Sequence, residues 1–167
     1  MSFLETERLI LNKISTRDAP FYVELFNSED WLKYIGDRNV RSIADAENYI
    51  KKNYLPIYDE HGFGSYTVKL KESGKTIGAC GLYQRDDLKH PDIGFAFLPG
   101  YYGQGYGFEA ASEVMRFARE QLGITEILGF TKRENVASIK LLKKLGLREQ
   151  GTYKFKDDTE DLILFAK

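Results

Sequence analysis

The sequence has little of several residue types that would mark particular classes of protein. It contains one cysteine, Cys80, so no disulfide can form within the chain, which suits a reducing compartment. It has only four prolines and no low-complexity or linker-like stretch, and nothing in its composition divides it into domains. We therefore expect residues 1–167 to form a single domain around one core, since a chain of this length buries well over half of its unfolded surface.

Excess charge and long apolar runs are absent too. The 24 Lys+Arg residues balance 25 Asp+Glu residues, so nucleic acid and anionic membranes are not the expected partners. No stretch approaches the roughly 18 apolar residues of a membrane-spanning helix. The first residues include Glu5 and Glu7 and lack the apolar segment of a secretory signal. We expect a cytoplasmic protein.

The hydrophobic pattern alternates between strand-like and helix-like segments. Asp18 and Ser42 are typical helix N-caps, whereas residues 29–38 resemble a loop or a broken helical turn. The order of elements predicts an α/β fold, with a mixed sheet and helices on both faces. Strands are expected at about residues 7–14, 64–71, 76–84, 91–98, 125–131, 147–156 and 159–165, with the last turn around Asp157 and Asp158. Helices are expected at about residues 18–27, 42–56, 107–122 and 135–146.

Four of the 15 glycines fall within Gly100–Gly107, between a predicted strand and a predicted helix. Glycine lets the backbone turn tightly there, and the unpaired N–H groups of the helix start favour a phosphate ligand. The alternative is a tight turn whose amides face water. Gly105–Ala110 also matches the dinucleotide fingerprint G-x-G-x-x-A, but a doubly wound fold needs several parallel units around that turn. A dinucleotide-binding oxidoreductase is therefore the less favoured alternative.

Tyr102–Gly107 resembles the acyl-CoA pyrophosphate loop of the GNAT superfamily of N-acetyltransferases, whose pattern is Q/R-x-x-G-x-G/A. An aromatic residue, Tyr102, stands where the pattern begins with Gln or Arg. The chain also resembles, more narrowly, the branch named for ribosomal-protein N-terminal acetylation. The segments that match this branch, in its order, are Thr6–Leu11, Asp92–Phe95, Gly105–Ala110, Asn135 with Ser138, and Lys144–Leu147.

The resemblance implies a mostly antiparallel GNAT sheet of six to seven strands with about four helices. It implies acetyl-CoA as co-substrate and direct transfer of the acetyl group to the primary amine of a protein N-terminus or a small molecule. It implies no metal and no covalent intermediate, and it leaves a homodimer open. The rival interpretation is a catalytically weak acyl-CoA-binding module of the same fold.

The resemblance also assigns cofactor contacts. Backbone groups of Phe95, Phe97 and Leu98 would bind the pantetheine arm, and Asn135 would reach the cofactor from the next helix. Asn135 is also a good N-cap residue, and capping alone would explain it. The three lysines of that helix would meet the 3′-phosphate or form a solvated face: Lys140, Lys143 and Lys144. The pyrophosphate would be held by Gly103, Gln104, Gly105, Tyr106, Gly107 and Phe108.

Amine acetylation requires a base, because a protonated amine has no lone pair. Asp92 stands where the resembling branch has glutamate and is the candidate base, the alternative being a solvated turn acid. Ser138 would lie near the cofactor sulfur. Leu142 stands where many GNAT enzymes have a tyrosine acid, so Ser138 or another tyrosine would protonate the leaving thiolate, or it would leave unassisted. Glu109 is interpreted as a structural acid of a helix first turn.

The remaining reactive residues carry no expected chemistry. Cys80 lies in an apolar predicted strand and is expected to be a buried thiol, not a nucleophile. His61 and His90 have no partner at ligand spacing, so no metal site is expected.

Overall fold

The computed structural model describes residues 3–156 and 158–167. Asp157, placed by the sequence in the last turn, lies outside the described residues. The elements in chain order are β1 (Leu4–Glu5), β2 (Leu9–Lys13), α1 (Ala19–Phe26), α2 (Glu29–Tyr34), α3 (Ile43–Asn53), α4 (Leu55–His61), β3 (Ser65–Leu70), β4 (Thr76–Tyr83), β5 (Asp92–Phe97), α5 (Tyr106–Leu122), β6 (Leu128–Thr131), α6 (Val136–Lys144), β7 (Arg148–Tyr153) and β8 (Leu162–Ala166).

The strands form one eight-stranded sheet in the order β1-β2-β3-β4-β5-β6-β8-β7. Among the strands of the described residues, β5 and β6 pair in parallel, and the other neighbours are antiparallel. The predicted fold class, a mixed and mostly antiparallel sheet, is confirmed. One parallel pair also leaves no doubly wound sheet of the kind that a dinucleotide site needs.

Hydrophobic residues on the two faces of the sheet form two cores. On one face, α5 and α6 cover residues such as Val68 and Leu82, with Val114 and Leu142 on the helices. On the other face, α1 and α3 pack together over Ala79 and other small or buried residues. The aromatic side chains of this second core include Tyr22 and Phe26, so most rings of the N-terminal third serve packing.

The helix starts follow local hydrogen bonding. Ser42 and Asp45 form the expected capping box, with the Asp45 N–H donating to Ser42 Oγ at 3.0 Å. Asp18 is the N-cap residue of the first helix, as predicted, but its side chain makes no capping hydrogen bond to that helix. Its carboxylate instead accepts from the Ser15 N–H at 2.8 Å, because a 3₁₀ turn over Thr16–Asp18 precedes α1.

Three features of the structure differ from the sequence-based prediction. β1 has only two residues, too few for a period-two pattern. Residues 29–38, predicted as a loop or a broken helical turn, contain the six-residue helix α2. Pro56 was expected to end a helix, but it lies in the first turn of α4, where its missing N–H needs no partner.

Candidate active site

The site is organised around a gap in the sheet between β5 and β6. Asp92↔Leu128 is the one register pair between these strands within the described residues, and the Leu128 N–H donates to the Pro91 carbonyl at 2.8 Å. Since β5 is bonded to β4 on its other side, alternate β5 residues turn their N–H and C=O groups toward the gap. Phe95 and Phe97 are those residues, so their backbone groups can pair with a ligand that lies like an added strand.

Leu98 is placed differently from Phe95 and Phe97. Its N–H donates to the Ile77 carbonyl at 2.9 Å, and its carbonyl accepts from the Tyr101 N–H at 3.0 Å. Its side chain is buried in the core beneath α1 and α3. Of the three predicted pantetheine residues, Phe95 and Phe97 therefore turn backbone groups toward the gap. The N–H of Leu98 is instead bonded within the sheet.

The glycine-rich loop joins the end of β5 to the start of the 17-residue helix α5. Gly103 and Gly105 have φ angles of +73° and +83°, a region that strains other residues. The Glu109 N–H makes the first bond of the helix, to the Gly105 carbonyl at 3.1 Å. The N–H groups before it have no carbonyl one turn earlier within the helix. This loop can therefore present amides and the positive end of a helix dipole to a pyrophosphate.

The loop is braced by the N-terminal strand through Glu109. Its carboxylate accepts from the Thr6 hydroxyl at 2.6 Å, the Arg8 N–H at 2.8 Å and Arg8 Nε at 2.7 Å. Burial opposes ionisation, but these hydrogen bonds outweigh it and lower the pKa of Glu109. The structural interpretation of Glu109 is confirmed.

Arg8 extends this brace to the loop itself, a role that sequence reasoning missed. Its Nη1 donates to the Gln104 carbonyl at 3.0 Å, and its guanidinium lies 4.3 Å from the centre of the Tyr106 ring. Gln104 adds a bond of its own, from Nε2 to the Gly100 carbonyl at 3.2 Å. The only signal in the sequence was the match of Thr6–Leu11 to the resembling branch, which carried no role for this arginine.

Asp92, the candidate base, is 3% exposed and faces Arg85. Arg85 Nε donates to Asp92 Oδ1 at 3.0 Å, and Nη2 donates to Oδ2 at 3.2 Å. Burial raises the pKa of Asp92 and the guanidinium of Arg85 opposes that rise, with the net direction upward. The alternative of a solvated turn acid is wrong, because the carboxylate is buried and both of its oxygens accept from Arg85.

Two aromatic rings lie close to the Arg85 guanidinium, and a third ring packs against both of them. Its central carbon lies 4.4 Å from the centre of the Phe155 ring and 5.9 Å from that of Phe130. The Tyr153 ring packs against both, with centroid distances of 5.5 Å to Phe130 and 5.0 Å to Phe155. We call Arg85, Asp92, Phe130, Tyr153 and Phe155 the Arg85 cluster. Sequence reasoning missed it, since its members come from separate segments with no common spacing.

The Arg85 cluster lies on the face of the sheet opposite α5 and α6. Ile93 packs into the core on the α5 side, and alternation along β5 puts Asp92 on the other face. On β6, a Cβ at Gly129 would meet Leu142 of α6 at 2.7 Å, so Phe130 turns away from that helix. The cluster therefore borders the gap from the face that carries α1 and α3.

Helix α2 lies near the mouth of the gap. Asp30 lies beside the Tyr102 hydroxyl of the glycine-rich loop, and partial burial together with this carboxylate raises the pKa of Tyr102 to about 12. Near the other end of α2, the Lys33 carbonyl accepts from Lys132 Nζ, just after β6, at 3.2 Å. The short helix thus connects the two strands that separate at the gap.

The start of α6 holds the two remaining predicted site residues. Asn135 Oδ1 accepts from the Ser138 N–H at 3.2 Å, so the N-cap interpretation of Asn135 is confirmed. Both side chains are half-buried. Leu142 is buried in the core and supplies no acid. On the same helix, Lys144 Nζ lies 4.3 Å from the centre of the Phe108 ring, so this lysine borders the cleft beside the glycine-rich loop.

The reactive residues outside the site are paired or buried. Cys80 is fully buried, as expected, and burial raises the pKa of its thiol. His90 Nε2 lies 2.6 Å from Glu126 Oε2, and His61 Nε2 lies 3.8 Å from Glu60 Oε2. In residues 3–156 and 158–167, no group of three or more His, Cys, Asp or Glu side chains is arranged to hold a metal ion. The same residues contain no helix long and apolar enough to cross a membrane.

Known proteins resemble this chain in sequence and in fold. An uncharacterized N-acetyltransferase of Bacillus subtilis, YoaA, is 28% identical over 149 residues, which are 89% of this chain and 84% of the relative. A ribosomal-protein-S5-alanine acetyltransferase from Vibrio fischeri has the same fold, with a TM-score of 0.81, 21% identity and coverage of 100% and 96%. RimL, a ribosomal L7/L12 α-N-protein acetyltransferase in complex with coenzyme A, superposes with a TM-score of 0.78, 15% identity and coverage of 100% and 97%.

The GNAT acetyltransferase domain family matches residues 8–148, a range that runs from the brace at Arg8 through the gap and the glycine-rich loop to β7. The chain belongs to the GNAT family of acetyltransferases.

Proposed function

We propose that this acetyltransferase transfers the acetyl group of acetyl-CoA to a primary amine, either a protein N-terminus or a small cationic amine. The observation that carries the proposal is the gap between β5 and β6, which leads to the glycine-rich start of α5. Phe95 and Phe97 turn backbone groups toward that gap, and the loop after β5 offers unpaired amides. These features fit an extended arm that ends in a pyrophosphate.

The cofactor roles divide between backbone and side chains. Amides from Gly103 to Phe108 hold the pyrophosphate, while Phe95 and Phe97 align the pantetheine arm. Lys144 contributes positive charge beside the cleft of about 510 Å³ that adjoins Gly105 and Phe108. Asn135 keeps the start of α6 in place through its cap and faces the cofactor with its amide group.

The chemistry requires the loss of two protons from nitrogen. Asp92 accepts the first proton from the acceptor ammonium, which creates the nucleophilic lone pair. Acetyl-CoA supplies the acetyl group: nitrogen bonds to the carbonyl carbon, the carbon–sulfur bond breaks, and its electron pair stays on sulfur. Backbone N–H groups of β5 at the gap stabilise negative charge on the carbonyl oxygen. Ser138 or a water molecule takes the second proton from nitrogen and gives a proton to sulfur. The products are therefore an amide, CoA thiol and one proton, which Asp92 releases.

The acceptor side favours a positively charged amine. A buried carboxylate and three aromatic rings border the gap there, and both attract cations. The known proteins of this fold include an α-N-protein acetyltransferase and an aminoglycoside acetyltransferase, which act on a protein and on a small molecule respectively. A single domain over residues 1–167, a cytoplasmic location and a homodimer stay predictions from the sequence.

An amine panel tests the proposal. The purified chain is incubated with acetyl-CoA and N-terminal peptides, polyamines, amino acids or aminoglycosides, and released CoA thiol is measured together with the mass of each product. We expect a mass increase of one acetyl group on at least one primary amine, and none on the same amine after prior acetylation. Calorimetric binding of acetyl-CoA without transfer to any amine would instead favour the acyl-CoA-binding module.

A further inference from the structure

The Arg85 cluster has the features of a cation-binding site, and the guanidinium of Arg85 itself occupies that site. Arg85 lies on the connection between β4 and β5, and its side chain is 41% exposed. The guanidinium lies between a buried carboxylate and the face of the Phe155 ring. Such an arrangement offers a cation both a charge partner and an aromatic surface.

While Arg85 is in the position seen in the structure, Asp92 cannot act directly as a base. A base must lie within hydrogen-bond reach of the proton that it removes. Both Asp92 oxygens already accept from Arg85, and the residue is almost entirely shielded from solvent. An acceptor ammonium can therefore reach the carboxylate only if the guanidinium gives up at least one of its two bonds.

We propose that Arg85 is a positioning residue that stands in for the acceptor ammonium and is displaced by it. This inference rests on the proposed function and adds the order of events at the same carboxylate. Without acceptor, Arg85 neutralises Asp92 and keeps water from it. With acceptor bound, the ammonium replaces the guanidinium at Asp92, and the carbons next to nitrogen contact Phe130 and Phe155. The preferred acceptor is accordingly a primary ammonium on an unbranched or flat carbon framework.

Few other charged or titratable groups face this exchange. Tyr83 lies opposite Asp92 on β4, and its hydroxyl donates to Ser65 Oγ at 2.9 Å. Tyr153 of β7 lies beside Arg85, and its hydroxyl donates to Asp87. Since both tyrosines are neutral near pH 7 and are bonded elsewhere, Arg85 is the cation that controls the ionisation of Asp92.

The first test follows the hydrogen bond of Arg85 directly and needs no acetyl-CoA. The Nε–H resonance of Arg85 is recorded by nitrogen–proton NMR and is assigned by its loss in Arg85→Lys. Addition of n-butylammonium should shift this resonance, whereas tetramethylammonium, which has no N–H to donate to Asp92, should leave it in place. A resonance that responds equally to both ions, or to neither, contradicts displacement.

The second test uses the pH dependence of transfer to the best amine of the panel. Removal of the guanidinium leaves Asp92 buried without a charge partner, so the acidic limb of kcat/KM in Arg85→Gln should move to higher pH. A nearby opposite charge lowers a carboxyl pKa by roughly 1–3 units, which sets the expected size of the movement. At pH values above this acidic limb, KM for the amine should fall in Arg85→Gln, because the guanidinium no longer competes with the amine for Asp92.

Two further variants separate this role from a purely structural one. Arg85→Lys keeps the positive charge and should restore most of the wild-type limb. Arg41→Gln removes the exposed pair of Arg41 with Asp37, where Arg41 also makes two hydrogen bonds to one aspartate, and should leave the limb unchanged. An Arg85→Gln enzyme with the wild-type limb and wild-type KM would overturn the inference. Lack of transfer by the wild-type protein would instead refute the proposed function, and the NMR test would still decide on displacement.

Discussion

The glycine-rich loop and the Arg85 cluster lie on either side of one gap and are built in opposite ways. The loop offers backbone amides whose direction is fixed by Gly103 and Gly105 at positive φ and by the brace from Arg8 to Glu109. The cluster offers side chains, with Arg85 from a loop, Asp92 from β5 and rings from β6 and from β7 with the residues after it. From this difference we expect the loop to bind a constant group, the cofactor, and the cluster to determine acceptor choice and proton transfer.

The largest expected effect comes from the cluster. Asp92→Asn keeps the shape but removes the basicity, so kcat/KM near pH 7 should fall by roughly 10²–10⁴, the range for loss of a general base. Acetyl-CoA affinity, measured by calorimetry, should stay unchanged, because the proposed cofactor contacts are backbone amides elsewhere. The loss should shrink as pH rises, since more of the amine is then deprotonated. In the wild type, the raised pKa of Asp92 places the acidic limb above the pH at which an ordinary aspartate titrates.

Asp37→Asn is the matched control for this substitution. Asp37 also binds an arginine through both oxygens, but it is exposed, so kcat/KM should stay at the wild-type level. If Asp92→Asn retained the wild-type rate at pH 7, Asp92 would not be the base, and the proposed division between a cofactor-binding loop and a proton-accepting cluster would fail. If it lost cofactor binding instead, Asp92 would serve the geometry of β5.

The next largest effect is expected in the glycine-rich loop. Gly105→Asp places a carboxylate where we expect pyrophosphate, and the dissociation constant of acetyl-CoA should rise at least about tenfold, or 1.4 kcal/mol. Because φ at Gly105 is +83°, any side chain there is strained, so Gly105→Asn serves as the control of equal shape and no charge. Equal affinities of the Asp and Asn variants would show that no anion binds beside this residue.

A smaller effect should follow when the brace of the loop is weakened. Glu109→Gln removes the charge that attracts Thr6 and Arg8, and should lower the free energy of unfolding by roughly 1–3 kcal/mol at pH 7. Since the folded-state pKa of Glu109 is lowered, its contribution is present above the ordinary glutamate value near 4.3 and is lost as pH falls below it. Urea titrations of both proteins at several pH values measure the difference.

Glu113→Gln is the control for the brace. Glu113 also accepts two hydrogen bonds from an arginine, but its partner Arg116 lies on the same helix. Acetyl-CoA affinity should fall in Glu109→Gln and not in Glu113→Gln. Equal changes in both variants would contradict the link between β2 and the cofactor loop.

The smallest effect is expected at Cys80. The thiol is fully buried, and burial raises its pKa, so the thiolate is not available for covalent transfer. Cys80→Ala should therefore retain most activity, and initial-rate plots against the two substrates should converge for wild type and variant alike. Mass spectrometry that detects an acetyl adduct on Cys80 during turnover would contradict direct transfer.

The sequence was informative where local rules decide the structure. Strand and helix periods predicted the fold class, and the positions of four glycines predicted the turn before α5, because both signals are contained in short segments. Ser42 with Asp45 shows the same locality. These features depend on residues no more than a few positions apart, and the backbone there has few alternatives.

The Arg85 cluster and helix α2 depend on tertiary structure, and the sequence did not predict them. The order β6-β8-β7 brings Phe130 and Tyr153 to the same end of the sheet, which no spacing in the chain encodes. Likewise, the sequence left a solvated turn acid as the alternative to a base at Asp92, and only the tertiary structure shows that this residue is buried against Arg85. Residues that long-range packing brings together, such as those of the Arg85 cluster, thus leave no local pattern in the sequence from which they can be predicted.

The position of β8 also has a consequence for how the chain folds. This strand comes last in chain order, yet it lies inside the sheet between β6 and β7, with Leu164 opposite Phe130 on one side and Gly151 on the other. During synthesis, β6 can pair with β5 before β8 has emerged, but β7 cannot take its final place, since β8 is the strand with which it pairs. Contacts between distant segments form slowly. The Arg85 cluster, which takes residues from β6 and β7, is therefore completed after the glycine-rich loop and its helix can already have formed.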